Sequence, residues 1–231
     1  MTDFEKMEND FLEKWSEEYK DKSFLKDGVI DAKTYFSEDT KVLFVLKEAN
    51  WINGRDDMKN YLKNPNLSRN WWKTWNNIAR WTIALLDGTS YPKTITREYR
   101  ATVLRRIAFI NLKKEGGDNQ ADAVELIEAA KEDKEYINKQ IEMYRPDIII
   151  CCGKSGKSNA TILRDYVLQD NISEWKRLNN SVYYYLLNQN NKQIPIVSFV
   201  HPQMRGGHKN FEKKYNLMLG IRDELINAKN K

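Results

Sequence analysis

A chain of 231 residues with 41% hydrophobic and 31% charged side chains can bury one substantial core, which argues against a disordered polymer and does not call for a second domain. Lysine and arginine exceed aspartate and glutamate by 38 to 33, and the net charge of +5 permits an anionic partner without requiring one. No window holds the ~18 apolar residues of a membrane span, and the opening MTDFEKMEND is too acidic and polar for a signal peptide, so a cytoplasmic protein is expected.

Phe4, Met7, Phe11, Leu12 and Trp15 recur at helical spacing and predict an amphipathic helix over the first twenty or so residues, part of an N-terminal helical extension (1–36) packed on a single domain of 1–231. The run Val42 to Leu46 is continuous and apolar, as a strand buried on both faces should be, and it ends abruptly at Lys47-Glu48-Ala49-Asn50-Trp51. Five tryptophans follow, Trp51, Trp71, Trp72, Trp75 and Trp81. Trp71, Trp75, Ile78, Thr82 and Leu85 form one helical face, and Trp72 lies off it. A second short strand, Ile107 to Ile110, ends at Asn111, ahead of a polar, glycine-bearing loop.

From about Ala121 to Tyr144 the pattern predicts one helix, stopped by Arg145-Pro146. Ile148 to Cys152 make a third buried strand, closed by Gly153. Alternation sends Cys151 and Cys152 to opposite faces, where they are buried small hydrophobes rather than a disulfide or a metal pair. The next helix has Ile162, Leu163, Tyr166 and Val167 on its inner side and Ser158 or Asn159 as its cap. Val182 to Leu187 and Ile194 to Val200 are strand candidates around the turn-rich Asn188 to Lys192. The second ends at His201-Pro202, and a last helix spans about Asn210 to Ala228.

Strands alternating with helices predict an α/β fold with a parallel sheet covered on both faces, whose ligands bind beyond the strand C-termini. Four strands deliver polar residues there: Glu48 and Asn50, Asn111, Gly153-Lys154-Ser155, and His201. The run GKSGKS is not a nucleoside-triphosphate loop, because the upstream glycine that motif needs is here Cys151 or Cys152. Its backbone N–H groups and lysines still suit a single phosphate. His201 and His208 have no cysteine near them, so neither a metal nor any other cofactor is expected.

In this order the segments VLFVLKEAN, AFINLKK, RPDIIICCGKS and FVHPQMRGGH resemble the motifs of the uracil-DNA glycosylase superfamily, over most of the chain. The resemblance implies a three-layer α/β/α sandwich with a central, mainly parallel four-stranded sheet. It also implies a DNA partner whose target base is flipped out of the strand and cut from its sugar. His201 then donates to O2 of a pyrimidine, and Asn111 reads the base edge with a donor and an acceptor side by side, which points to a pyrimidine without choosing between uracil and cytosine. Asn50 positions the attacking water, or Glu48 acts as base. Trp72, then Trp51, stack on the base. Met204 and Arg205 stand where relatives carry a wedge into the duplex, and Lys154, Ser155, Lys157 and Arg205 hold phosphates.

The first loop departs most from the family pattern, with Lys47 for glycine and Asn50-Trp51 for proline-glycine. Together with the tryptophan-rich segment, this ranks glucosylated hydroxymethylcytosine of phage DNA above uracil as the expected base. A repair enzyme acting on uracil and a non-catalytic nucleic-acid-binding module are the alternatives.

Overall fold

The apolar runs become the middle of one sheet. The computed structural model describes residues 2–20, 22–48, 57–67, 72–116, 122–153, 157–179 and 181–227. In chain order its elements are α1 (Asp3–Glu17), β1 (Gly28–Val29), α2 (Ala32–Ser37), β2 (Val42–Leu46), α3 (Met58–Lys63), α4 (Lys73–Leu86), α5 (Arg97–Leu104) and β3 (Ile107–Asn111). There follow α6 (Ala123–Glu132), α7 (Lys134–Tyr144), β4 (Ile148–Cys152), α8 (Asn159–Ile162, continued by a π-turn to Leu168), β5 (Lys176–Arg177), β6 (Tyr183–Gln189), β7 (Lys192–Phe199) and α9 (His208–Ile221, also ending in a π-turn).

Among the described residues the sheet has seven strands, in the order β1-β3-β2-β4-β7-β6-β5. β3, β2, β4 and β7 are parallel to one another, so all four point their C-terminal ends to one edge of the molecule. The expected four-stranded sheet is therefore the centre of a wider, mixed one. β1 and β5, each two residues long, are too short to leave an apolar run in the sequence. β6 folds back on β7 through Asn190 and Asn191, both left-handed with φ of 51° and 60°, the conformation of a tight two-residue hairpin turn.

Each central strand is buried on both sides because successive side chains feed different cores. Val42, Phe44, Ile107, Phe109, Ile150, Cys152 and Phe199 pack under α4, α5 and α9. Leu43, Val45, Ala108, Ile110, Ile149 and Cys151 pack under α1, α2, α6, α7 and α8. The two cysteines thus sit on opposite faces, both fully buried. Ser158 is the cap of α8, its hydroxyl accepting from the Thr161 N–H at 3.1 Å.

One expectation is corrected. The helix predicted from about 121 to 144 is two helices that break at Asp133. The Asp133 carboxylate accepts from the Trp15 indole at 2.8 Å and from the Tyr19 hydroxyl at 2.5 Å, tying α1 to the break. In the N-terminal segment Leu12 and Trp15 are core residues, and β1 is an edge strand of the sheet. At Gly28, φ is +134°, and a Cβ would run into the Glu8 carboxylate and the Tyr144 hydroxyl. Gly28→Ala is expected to destabilise the fold by about 2–4 kcal/mol, read as a lowered urea midpoint. An unchanged midpoint would show that β1 contributes little.

Candidate functional site

At the C-terminal edge of the parallel strands lies a cavity of about 120 Å³. Lys47 and Glu48 reach it from the end of β2, Phe109 and Asn111 from β3, His201, Pro202 and Gln203 from the segment after β7, and Trp72, Thr74 and Trp75 from the start of α4. Four residues singled out in the sequence, Glu48, Trp72, Asn111 and His201, therefore meet around one space, although they come from four segments of the chain. The cavity is small beside the roughly 300–1,000 Å³ of pockets that enclose drug-sized ligands. It suits one heterocyclic ring.

His201 is set by its own loop. The Gln203 N–H donates to Nδ1 at 3.1 Å, which leaves the proton of a neutral imidazole on Nε2 and makes that nitrogen a donor. The ring stays exposed at the rim, yet the atoms crowding it and the Lys47 ammonium both hold its pKa below the ordinary value of 6.5. Neighbouring Pro202 is buried, and its carbonyl accepts from Asn77 Nδ2 of α4 at 2.7 Å. Asn77 is held in turn by Arg80 at 3.2 Å. The loop that carries the imidazole is thus bolted to a core helix.

The Glu48 side chain is only 6% exposed, and the Lys113 ammonium stands 3.7 Å from it. Lys113 is drawn more closely to Glu125, at 2.8 Å. Burial raises the Glu48 pKa above 4.5, partly countered by Lys113, which is the shift that equips a carboxylate to take a proton near neutral pH.

Asn111 is buried, and it is held from outside the cavity. Its backbone N–H donates to Asp27 Oδ2 at 2.6 Å and its Nδ2 donates to the same oxygen at 3.1 Å. Trp72, half-buried at the start of α4, meets Trp75 edge-on with centroids 6.1 Å apart. Trp75 meets Phe109 in the same manner at 4.9 Å. The core face read from helical spacing in α4 is therefore also an aromatic wall of the cavity.

The remaining assignments fare differently. Lys157 is exposed, bonded to the Tyr166 hydroxyl and seated 4.7 Å from the centroid of that ring, which belongs to the α7–α8 side of the sheet. It does not line the cavity. Met204 is half-buried and packs on the core beneath α4 and α9, whereas Arg205 is exposed with its carbonyl bound by Asn210 at 2.8 Å. Asn50, Trp51, Lys154 and Ser155 lie outside the described residues. Asp27, Lys113 and Gln203 were not singled out, since a lone charge or amide in a loop has no periodicity to mark it, and Lys47 was marked only as a departure from the family pattern.

Among the described residues, no group of three or more histidine, cysteine, aspartate or glutamate side chains is placed to hold a metal ion, and no helix is long and apolar enough to cross a membrane. No protein-family model matches the sequence, and comparison with curated proteins gives no match either.

Proposed function

We propose that this chain is a DNA glycosylase of the uracil-DNA glycosylase type, which draws a flipped pyrimidine into the cavity and hydrolyses its bond to the sugar. The observation that carries the reading is the meeting of His201, Asn111, Glu48 and Trp72 around one ring-sized space. The four parallel strands behind it, within a sheet covered by helices on both faces, support the sandwich architecture of that superfamily. The net charge of +5 is compatible with a phosphate backbone.

The chemistry follows from the residue types. Breaking the bond between N1 and C1′ leaves positive charge on the sugar and negative charge on the base. The Nε2–H of neutral His201 donates to O2 as that charge grows, and a neutral donor is available because Nδ1 already accepts from the backbone. Glu48 takes the proton of the water whose oxygen bonds to C1′, leaving an abasic sugar and a departed base. The aromatic side chains of Trp72 and Trp75 offset the few kcal/mol lost when the base leaves its stack.

The test is incubation with uracil-containing DNA, glucosylated hydroxymethylcytosine DNA and unmodified DNA, each followed by alkali. Strand breaks confined to one of the modified substrates are expected. Salt-sensitive binding without breaks in any of them would sink the enzymatic reading in favour of a binding module. Turnover of free nucleosides without DNA binding would replace DNA by a small substrate.

A further inference from the structure

We infer that the chain also carries an abasic-site lyase activity, in which the Lys47 amine attacks C1′ of the sugar left by base removal, forms an imine with it and cuts the strand by β-elimination. The placement of that sugar at the cavity rests on the glycosylase reading.

Lys47 stands half-buried where β2 ends, and it lines the cavity together with Glu48, Asn111 and His201. The end of β4 sets the course of its side chain. Gly153 has a φ of +128°, and a Cβ there would lie 3.3 Å from Lys47 Cε and 3.6 Å from both amide atoms of Asn159. The aliphatic stem therefore runs alongside a glycine that leaves room for it. The ammonium is close enough to His201, after β7, to oppose protonation of the imidazole.

Two features set this lysine apart from the others near the site. Lys113 is held by Glu125 at 2.8 Å and by Glu48 at 3.7 Å, and Lys114 by Asp27 at 2.7 Å, whereas among the described residues no carboxylate pairs with Lys47. Beside its stem, Asn159 is fully buried. The Asn159 Nδ2 donates to the Cys152 carbonyl at 2.7 Å, and among the described residues its Oδ1 has no hydrogen-bond partner. A buried acceptor left open is costly, and this one offers the amine a place to turn an N–H without closing an ion pair. The cavity thus holds an amine that no carboxylate claims, next to the carboxylate of Glu48 in the chain.

A lysine amine adds to carbonyl carbon and so splits one difficult bond cleavage into easier steps. Hydrolysis of the base–sugar bond leaves C1′ as a hemiacetal, which opens to an aldehyde. The Lys47 amine, its extra proton given to water, adds its electron pair to C1′, and the C1′ oxygen departs as water to leave a protonated imine. That cation loosens the C2′–H. The Glu48 carboxylate, having passed its earlier proton to solvent, takes the C2′ proton. The freed electron pair forms a double bond to C3′, and the C3′–O bond breaks with its pair leaving on the phosphate. Water then hydrolyses the imine and returns the amine to Lys47, so no oxidant or reductant is consumed.

The test uses the full chain and an oligonucleotide carrying one preformed abasic site, with and without sodium cyanoborohydride, which reduces an imine to a stable amine. Strand cleavage without alkali is expected, together with a covalent protein–DNA species in the presence of the reductant. Mass spectrometry of the digested adduct should place it on Lys47, and Lys47→Met should lose both the cleavage and the adduct. Cleavage only after alkali, with no covalent species, would overturn the inference. So would an adduct on another residue or spread over several lysines in the wild type, a result that does not depend on the variant folding. An undiminished adduct in Lys47→Met would overturn it as well. The preformed site bypasses base removal, so the two readings fail separately. Alkali-dependent breaks in modified-base DNA without trapping would remove the lyase and leave the glycosylase, whereas trapping at Lys47 with no base removed from any DNA would support the lyase and remove the glycosylase.

Discussion

His201→Ala is expected to lower single-turnover excision by about 10²–10⁴-fold while DNA affinity stays within a few-fold of wild type. The asymmetry follows from what the imidazole touches. Its Nδ1 is occupied by the Gln203 N–H, so the only group it offers the cavity is the Nε2–H, whose hydrogen bond strengthens as negative charge grows on the base. Affinity for DNA comes largely from backbone phosphates, and nothing in the geometry of His201 addresses them. The loop is anchored independently through Asn77 and the Pro202 carbonyl, so truncating the ring leaves its backbone in place. Quench-flow excision and salt-dependent binding titrations separate the two quantities. Equal losses in both would mean that the loop, and not the imidazole, had been damaged, and full activity would remove His201 from the chemistry.

Glu48→Gln is expected to cost a similar factor, about 10²–10⁴ in kcat, and also to change the pH profile. Glu48 must be ionised to take a proton from water, and burial raises its pKa above 4.5. His201 must be neutral to keep Nδ1 as an acceptor, and its pKa is held below 6.5. Both requirements fail in the same direction, so kcat/KM should fall as pH falls. Glu48 contributes to that limb from above its ordinary value and His201 from below its own, and the limb steepens toward a slope of two once both groups are protonated. In Glu48→Gln one ionisation disappears and the residual limb should approach a slope of one. An unaltered slope, or full activity, would return the water-positioning role to the first loop beyond residue 48.

The sheet's centre was legible because its physics is local. Val42 to Leu46, Ile107 to Ile110 and Ile148 to Cys152 are continuous apolar runs, as strands buried on both faces should be. The first two stop at a polar residue where the chain leaves the core, so the strand-end positions of Glu48 and Asn111 could be read along with the strands, as could that of His201 after the run that ends at Val200. The flanking strands β1 and β5 could not, since two residues carry no alternation. The break at Asp133 was hidden for a different reason: α6 and α7 continue the same helical period, and the aspartate that divides them is bound by Trp15 and Tyr19, more than a hundred residues away.

The same division holds inside the site. Sequence alone determined that an asparagine, a histidine and a glutamate stand at the ends of parallel strands, because local hydrophobic pattern sets where strands stop and chain direction sets which edge they reach. It left the facing of the Asn111 amide open, with both a donor and an acceptor on offer. That was decided only by tertiary structure, through a carboxylate 84 residues earlier in the chain and a lysine and glutamine beyond it. The reason is physical. An amide shows the same residue type whichever way it is turned, and the acceptor its nitrogen meets is brought alongside only when the edge strand docks.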